Sequence, residues 1–125
     1  MLKSKGIDHL NLQVKNLDES CRFWEQLLGF RVLEDMPDVK GKIVGDESSK
    51  LALYENPNLE KQGKLGFAHM GFHIENFEKC ESHCKKLGIA IKYNGAVNWP
   101  HSKSIYIEDP NGYEIELAEV WGGGL

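Results

Sequence analysis

Along residues 7–14, IDHLNLQV, apolar and polar positions alternate: Leu10, Leu12 and Val14 fall on one side, His9, Asn11 and Gln13 on the other. A period of two belongs to a half-buried strand, because successive side chains point to opposite faces. The alternation returns in FAHMGFHI, where Met70, Phe72 and Ile74 oppose His69, Gly71 and His73. In SIYIED it sets Ile105 and Ile107 against Tyr106 and Glu108, and in YEIELAE it sets Ile115 and Leu117 against Glu114, Glu116 and Ala118. GFRVLED, KLALYE and IAIKYN are also read as strands. EDPNGYE predicts a tight hairpin turn, with Pro110 presetting φ and Gly112 accepting a positive one.

After the first strand of each half the period lengthens to that of a helix. Leu17, Cys21, Trp24 and Leu28 keep helical spacing, as do Phe77, Cys80, Cys84 and Leu87. Asn16 and Asn76 suit the N-cap, where the side chain accepts from a free backbone N–H. Gly29 and Gly88 suit the left-handed position that ends a helix. The halves are thus an internal repeat. The stretch from Gly6 aligns with that from Gly66 at an offset of 60 residues (66 − 6), without a gap to Leu27 and Leu87, and His9 pairs with His69. The pattern predicts an α+β fold of paired βαβββ modules within one domain spanning residues 1–125: module 1 at about 5–57, a linker at 58–64 and module 2 at about 65–121.

Each strand then has an apolar side for its helix and a side free to bind something. A merely solvated face would draw on Lys, Glu, Thr and Ser, and would not need histidine at the same point of both repeats. His9 and His69 are therefore read as ligands. The mate of His73 is Gln13, so the repeat leaves His73 a supporting place beside His69.

At 125 residues the chain is long enough to bury a core without disulfides. Fifteen basic against nineteen acidic residues give a net charge of −4, and no basic run interleaves with aromatics, which argues against nucleic-acid binding. No apolar stretch is long enough to span a bilayer, and MLKSKGIDHL lacks the apolar core of a signal peptide, so no membrane role and a cytoplasmic location are expected. Three cysteines, an odd number, fit a reducing compartment. Cys80, His83 and Cys84 in CESHC hint at zinc, but both cysteines fall on the apolar stripe of the helix and no second ligand pair matches them.

The stretches IDHLNLQV, LGFRV, LALYENP, AHMGFHI and above all SIYIEDPNGYEIEL resemble the vicinal oxygen chelate superfamily, which includes glyoxalase I, extradiol ring-cleaving dioxygenases, fosfomycin-resistance thiol transferases and bleomycin-binding proteins. The resemblance implies a half-open, metal-holding β-sheet barrel. It places the metal ligands on His9, His69 and Glu116, a facial set that favours Fe(II) or Mn(II), with Zn(II), Ni(II) or Co(II) as further options. It implies a small-molecule substrate bound through neighbouring oxygens, and a homodimer.

Departures from the family narrow the choice. The fourth ligand of glyoxalase I, a glutamate, would fall among Leu51, Ala52 and Leu53; Glu55 is the nearest acid and lies too late along the strand. Of the fosfomycin enzymes' antibiotic contacts only Ser104 matches, while Asn11, Ala96 and Pro100 do not. Extradiol dioxygenases carry a tyrosine ten residues before the glutamate, and Tyr106 holds that place (116 − 106 = 10). Their loop histidine falls near Val97, leaving His101 or His73 as acid/base. The first expectation is therefore an extradiol-type dioxygenase with Tyr106 steadying the intermediate. The alternatives are a lyase or isomerase of the lactoylglutathione lyase type and a non-catalytic, bleomycin-resistance-like ligand binder. Trp24, Phe67, Tyr93 and Trp99 report only an apolar, aromatic lining and are read as core packing ahead of substrate contact. The terminal WGGGL is read as a flexible tail, with docking of Trp121 on a partner as the alternative.

Overall fold

A computed structural model describes residues 1, 3–61 and 67–120. The linker positions 62–64, the first two residues of the second module (65 and 66) and the terminal WGGGL with Trp121 lie outside the described residues. The chain divides into two compact units, Met1–Glu60 and Lys61–Leu125.

In the first unit, strand β1 (Leu10–Val14) leads into helix α1 (Leu17–Leu28), followed by β2 (Arg31–Met36), a 3-10 turn (Pro37–Val39), β3 (Gly41–Gly45) and β4 (Lys50–Glu55). The strands form an open sheet in the order β1-β4-β3-β2, with β1 parallel to β4. Alternation sends Leu12, Val14, Val44, Leu51 and Leu53 into the core against α1, where Trp24 is fully buried. Asn16 caps α1 as expected, its side chain accepting from the Glu19 N–H at 2.8 Å. The helix ends at Gly29, whose φ of 72° is the left-handed conformation that glycine adopts without a Cβ penalty. Two expectations shift. The buried helix face is Leu17, Ser20, Trp24 and Leu27, whereas Cys21 and Leu28 are half-buried. Strand β3 lies in GKIVG, where two glycines and a lysine give no strand signal.

The second unit repeats the plan with β5 (Met70–His73), a 3-10 turn (Phe77–Lys79), helix α2 (Cys80–Lys86), β6 (Val97–Asn98), β7 (Lys103–Glu108) and β8 (Glu114–Ala118). Its sheet order is β5-β8-β7-β6, with β5 parallel to β8. Cys80 and Cys84 are buried as the helical stripe requires. Burial pushes the Cys80 thiol up to about 11. Asn76, by contrast, makes no side-chain cap; its carbonyl accepts from the Lys79 N–H in the 3-10 turn that replaces the first turn of the helix. The hairpin between β7 and β8 forms at Asp109–Gly112, with Gly112 at φ 89° and the Asp109 carboxylate accepting from the Asn111 and Tyr113 N–H groups.

IAIKYN is not a strand. Tyr93 and Asn94 take φ values of 56° and 61° and Gly95 one of 116°, so the chain turns where alternation predicts extension. Among the described residues no helix is long and apolar enough to cross a membrane.

Candidate metal centre

The face of the second sheet opposite Ile105, Ile107, Ile115 and Leu117 gathers the polar positions of β7 and β8. Tyr106 lies directly opposite Glu116, Ser104 opposite Ala118 and Glu108 opposite Glu114. On the other side of β8, Gly71 pairs with Glu116. His69 sits one residue before β5 and continues that face through Gly71 to His73. This brings the Nε2 of His69 to 2.8 Å from Oε2 of Glu116. The other carboxylate oxygen, Oε1, accepts from the Ser104 hydroxyl at 2.5 Å. Two of the three predicted ligands, with their donor atoms facing each other, are thus assembled by strand register alone.

Tyr106 packs edge-on to the His69 ring, centroids 5.6 Å apart, and to Tyr93 at 5.4 Å. Burial, and then the negative charge of Glu116, push the Tyr106 phenol above its ordinary value, so it stands as a hydrogen-bond donor at neutral pH. His73 lies at the end of β5 opposite Ala118 and is exposed. His101 is exposed in the turn closed by the Trp99 N–H donating to the Ser102 carbonyl at 2.8 Å. Neither belongs to the His69–Glu116 pair.

Alternation along β8 puts Glu114 on this face, but its role there rests on partners from segment 89–94, which turns at Tyr93 and Asn94. Glu114 is buried, and its Oε2 accepts from Lys92 Nζ at 2.6 Å and from the Tyr93 hydroxyl at 2.7 Å. Lys92 also donates to Glu108 at 3.0 Å. The hydrogen bond to Glu114 holds the Lys92 ammonium protonated well above the usual lysine range, and Lys92 in turn lowers Glu108. Of the four aromatics read as core packing, only Trp24 is buried; Phe67, Tyr93 and Trp99 are exposed.

In the first module His9 occupies the matching place, one residue before β1, with Nδ1 at 2.7 Å from Oδ2 of Asp8. The position equivalent to Glu116 follows from the ladders: Gly71 pairs with Glu116, and its mate Asn11 pairs with Ala52. Opposite Ala52 on β3 stands Ile43, in the place of Tyr106. Glu55 lies on the helix side, where its Oε2 accepts from the Leu17 N–H at 2.9 Å and supplements the cap of α1. No ligand carboxylate stands at the position equivalent to Glu116. Among the described residues, no three His, Cys, Asp or Glu side chains are gathered for a metal ion. The second module supplies the His69–Glu116 pair, and His9 belongs to the first.

An imidazole nitrogen and a carboxylate oxygen 2.8 Å apart, one carboxylate oxygen propped by a hydroxyl, are a donor set suited to a divalent transition metal. The family model for the glyoxalase/bleomycin resistance protein/dioxygenase superfamily matches residues 6–117. The chain is 30% identical to a lactoylglutathione lyase of Escherichia coli O157:H7, over 93% of each chain. It is 28% identical to the metallothiol transferase FosB of Staphylococcus haemolyticus, over 90% of this chain and 82% of that one. The fosfomycin resistance protein FosX of Listeria monocytogenes shares the fold, with a TM-score of 0.80 at 20% identity over 98% of this chain and all of that one. With its repeat, its two four-stranded sheets and this match along nearly the whole chain, the protein belongs to the glyoxalase/bleomycin resistance protein/dioxygenase superfamily.

Proposed function

We propose that this chain is a divalent-metal-dependent enzyme of the glyoxalase type, a lyase or isomerase that takes a small substrate through neighbouring oxygens, with His9, His69 and Glu116 as its metal ligands. The observation that carries the reading is the His69–Glu116 pair propped by Ser104. A bound divalent ion would supply Lewis-acid stabilisation of negative charge developing on a substrate oxygen. Fe(II), Mn(II), Zn(II), Ni(II) and Co(II) all suit this donor set.

The chain's own residues divide the remaining work. Ser104 engages one oxygen of Glu116 and leaves the other facing His69. Tyr106, kept protonated by burial, offers a donor beside the ligand imidazole. Proton transfer to or from the substrate falls to His73 or His101, because Ala52 and the helix-capping Glu55 offer no carboxylate in the first module for the task. Ring cleavage, the first expectation from Tyr106, gives way here to the lyase alternative: the named relatives are a lactoylglutathione lyase and a thiol transferase. The proposal includes a homodimer and a cytoplasmic setting, the latter in keeping with free Cys21, Cys80 and Cys84.

The test is reconstitution of the metal-stripped protein with each of these ions. Formation of lactoylglutathione from the hemithioacetal of glutathione and methylglyoxal is followed by thioester absorbance, and oxygen uptake is followed with a panel of catechols. Metal-dependent thioester turnover, reduced at least about 100-fold in His69→Ala and Glu116→Ala, supports the lyase. Oxygen uptake with a catechol and no thioester turnover would restore the dioxygenase. A protein that takes up no stoichiometric metal would be a binder of the sequestering kind.

A further inference from the structure

On the reading above, Nε2 of His69 is the metal-facing atom, which raises the question of what holds its other ring nitrogen. Oε1 of Glu114 lies 3.8 Å from His69 Nδ1, within ion-pair reach. The Glu114 side chain is only 4% exposed, and its second oxygen, Oε2, already takes Lys92 Nζ and the Tyr93 hydroxyl at 2.6 and 2.7 Å. With one oxygen engaged by two donors, the oxygen turned to His69 is fixed in place.

The backbone bears a cost to make this grip. Tyr93 and Asn94 are successive non-glycine residues in the left-handed region; Asn tolerates that conformation, whereas for Tyr93 it is a strained choice that persists only where its surroundings enforce it. The turn is tied to β7 by the Lys92 N–H donating to the Tyr106 carbonyl at 2.8 Å. It is this turn that delivers an ammonium and a phenol to the same carboxylate oxygen. His9 offers a parallel: its Nδ1 faces the Asp8 carboxylate at 2.7 Å. Metal-binding histidines characteristically hand their second N–H to a carboxylate, which sets the tautomer and the ring orientation.

We propose that Glu114 is the positioning residue of His69: gripped by Lys92 and Tyr93, it presents the carboxylate that the Nδ1–H of His69 faces and so turns Nε2 toward Glu116 and the metal. This inference rests on the metal-site reading proposed above. It assigns a task to the carboxylate two residues before the ligand and to the strained turn at 92–94.

The experiment is Co(II) titration of the full chain against a competing chelator, with the visible spectrum recorded at saturation. Glu114→Gln weakens Co(II) binding by about 10- to 100-fold and alters the intensity of the Co(II) bands. Glu81→Gln, which removes a carboxylate paired with Lys85 on the exposed side of α2, leaves both unchanged. Because Glu114→Gln strands Lys92, the double variant Lys92→Gln/Glu114→Gln is measured beside it. Regained thermal stability with the same loss of Co(II) affinity separates positioning from folding. Wild-type affinity in both Glu114 variants would overturn the inference and leave the metal site standing. Failure of the wild-type chain to bind Co(II) would overturn both.

Discussion

The two modules share a backbone plan and differ in what they mount on it. Their sheets run in the same order, and the ladders match position by position: Ala52 stands where Glu116 does, Ile43 where Tyr106 does, and Gly41 and Gly45 where Ser104 and Glu108 do. One face therefore carries a carboxylate, a phenol, a hydroxyl and an acid–lysine cluster, and the other a methyl, a branched alkyl, two glycines and, in the place of Glu114, Lys50. Only the histidine before the first strand is common to both. The helices differ in the opposite sense. α1 runs for 12 residues, is capped at both ends and buries Trp24; α2 runs for 7 behind a 3-10 turn and buries Cys84 at the equivalent place. A repeat can thus divide its labour. The first module invests in packing, and the second, with the smaller helix core, carries the polar site.

The largest effect that would break this division lies in the helix cores. Truncating a fully buried tryptophan removes its transfer free energy and leaves a cavity, so Trp24→Ala should destabilise the first module by about 3–5 kcal/mol. Cys84→Ala removes a single sulfur from the matching place and should cost on the order of 1 kcal/mol. Urea unfolding followed by tryptophan-independent circular dichroism reads both. Equal losses would show that the helices bear equal shares of the packing.

A smaller effect separates the polar faces. Lys92 is raised by its hydrogen bond to Glu114, so this contribution is fully present below the ordinary lysine pKa of about 10.4 and is lost as pH rises through the raised value. Glu108 is lowered by Lys92, so its contribution is present above the ordinary glutamate pKa of about 4.3 and is lost as pH falls through the lowered value. Charge-assisted bonds of this kind contribute about 1.5–3 kcal/mol at most. Lys92→Met should therefore lower stability at pH 7 and flatten both the alkaline and the acidic limbs of the wild-type stability curve. An unchanged alkaline limb in Lys92→Met would detach it from this cluster.

The same contrast explains what was legible in the sequence. Strand parity alone placed Tyr106, Glu114 and Glu116 on one face, and the ladder of β7 with β8 bears this out. The repeat singled out His69, because a histidine at the same phase of two copies is hard to ascribe to solvation. Two elements escaped. β3 is short and rich in glycine, and its pairing with β2 and β4, rather than its own residues, makes it a strand. Segment 89–94 alternates like a strand, yet turns at Tyr93 and Asn94, where the side chains of Lys92 and Tyr93 meet Glu114. The partners of Glu114 were hidden for that reason: they come from a stretch whose local pattern points the wrong way. The role of Ser104 was hidden for another, since a strand serine declares no acceptor until register sets Glu116 within its reach.

The finest test of the comparison uses the one pair that the repeat treats as identical. Asn16 and Asn76 hold the same place, and sequence alone predicts the same cap for each. In the first module the Asn16 side chain accepts from the Glu19 N–H, and Asn16→Ala should cost about 1 kcal/mol. In the second, the backbone enters a 3-10 turn first, so Asn76 contributes its carbonyl to Lys79 and no side-chain cap. Alanine retains that carbonyl, and Asn76→Ala should fall within the roughly 0.5 kcal/mol typical of an uninvolved surface substitution. Equal losses measured by urea unfolding would mean that the second helix is entered through the same cap as the first, and the 3-10 entry would lose its place in explaining why α2 is short.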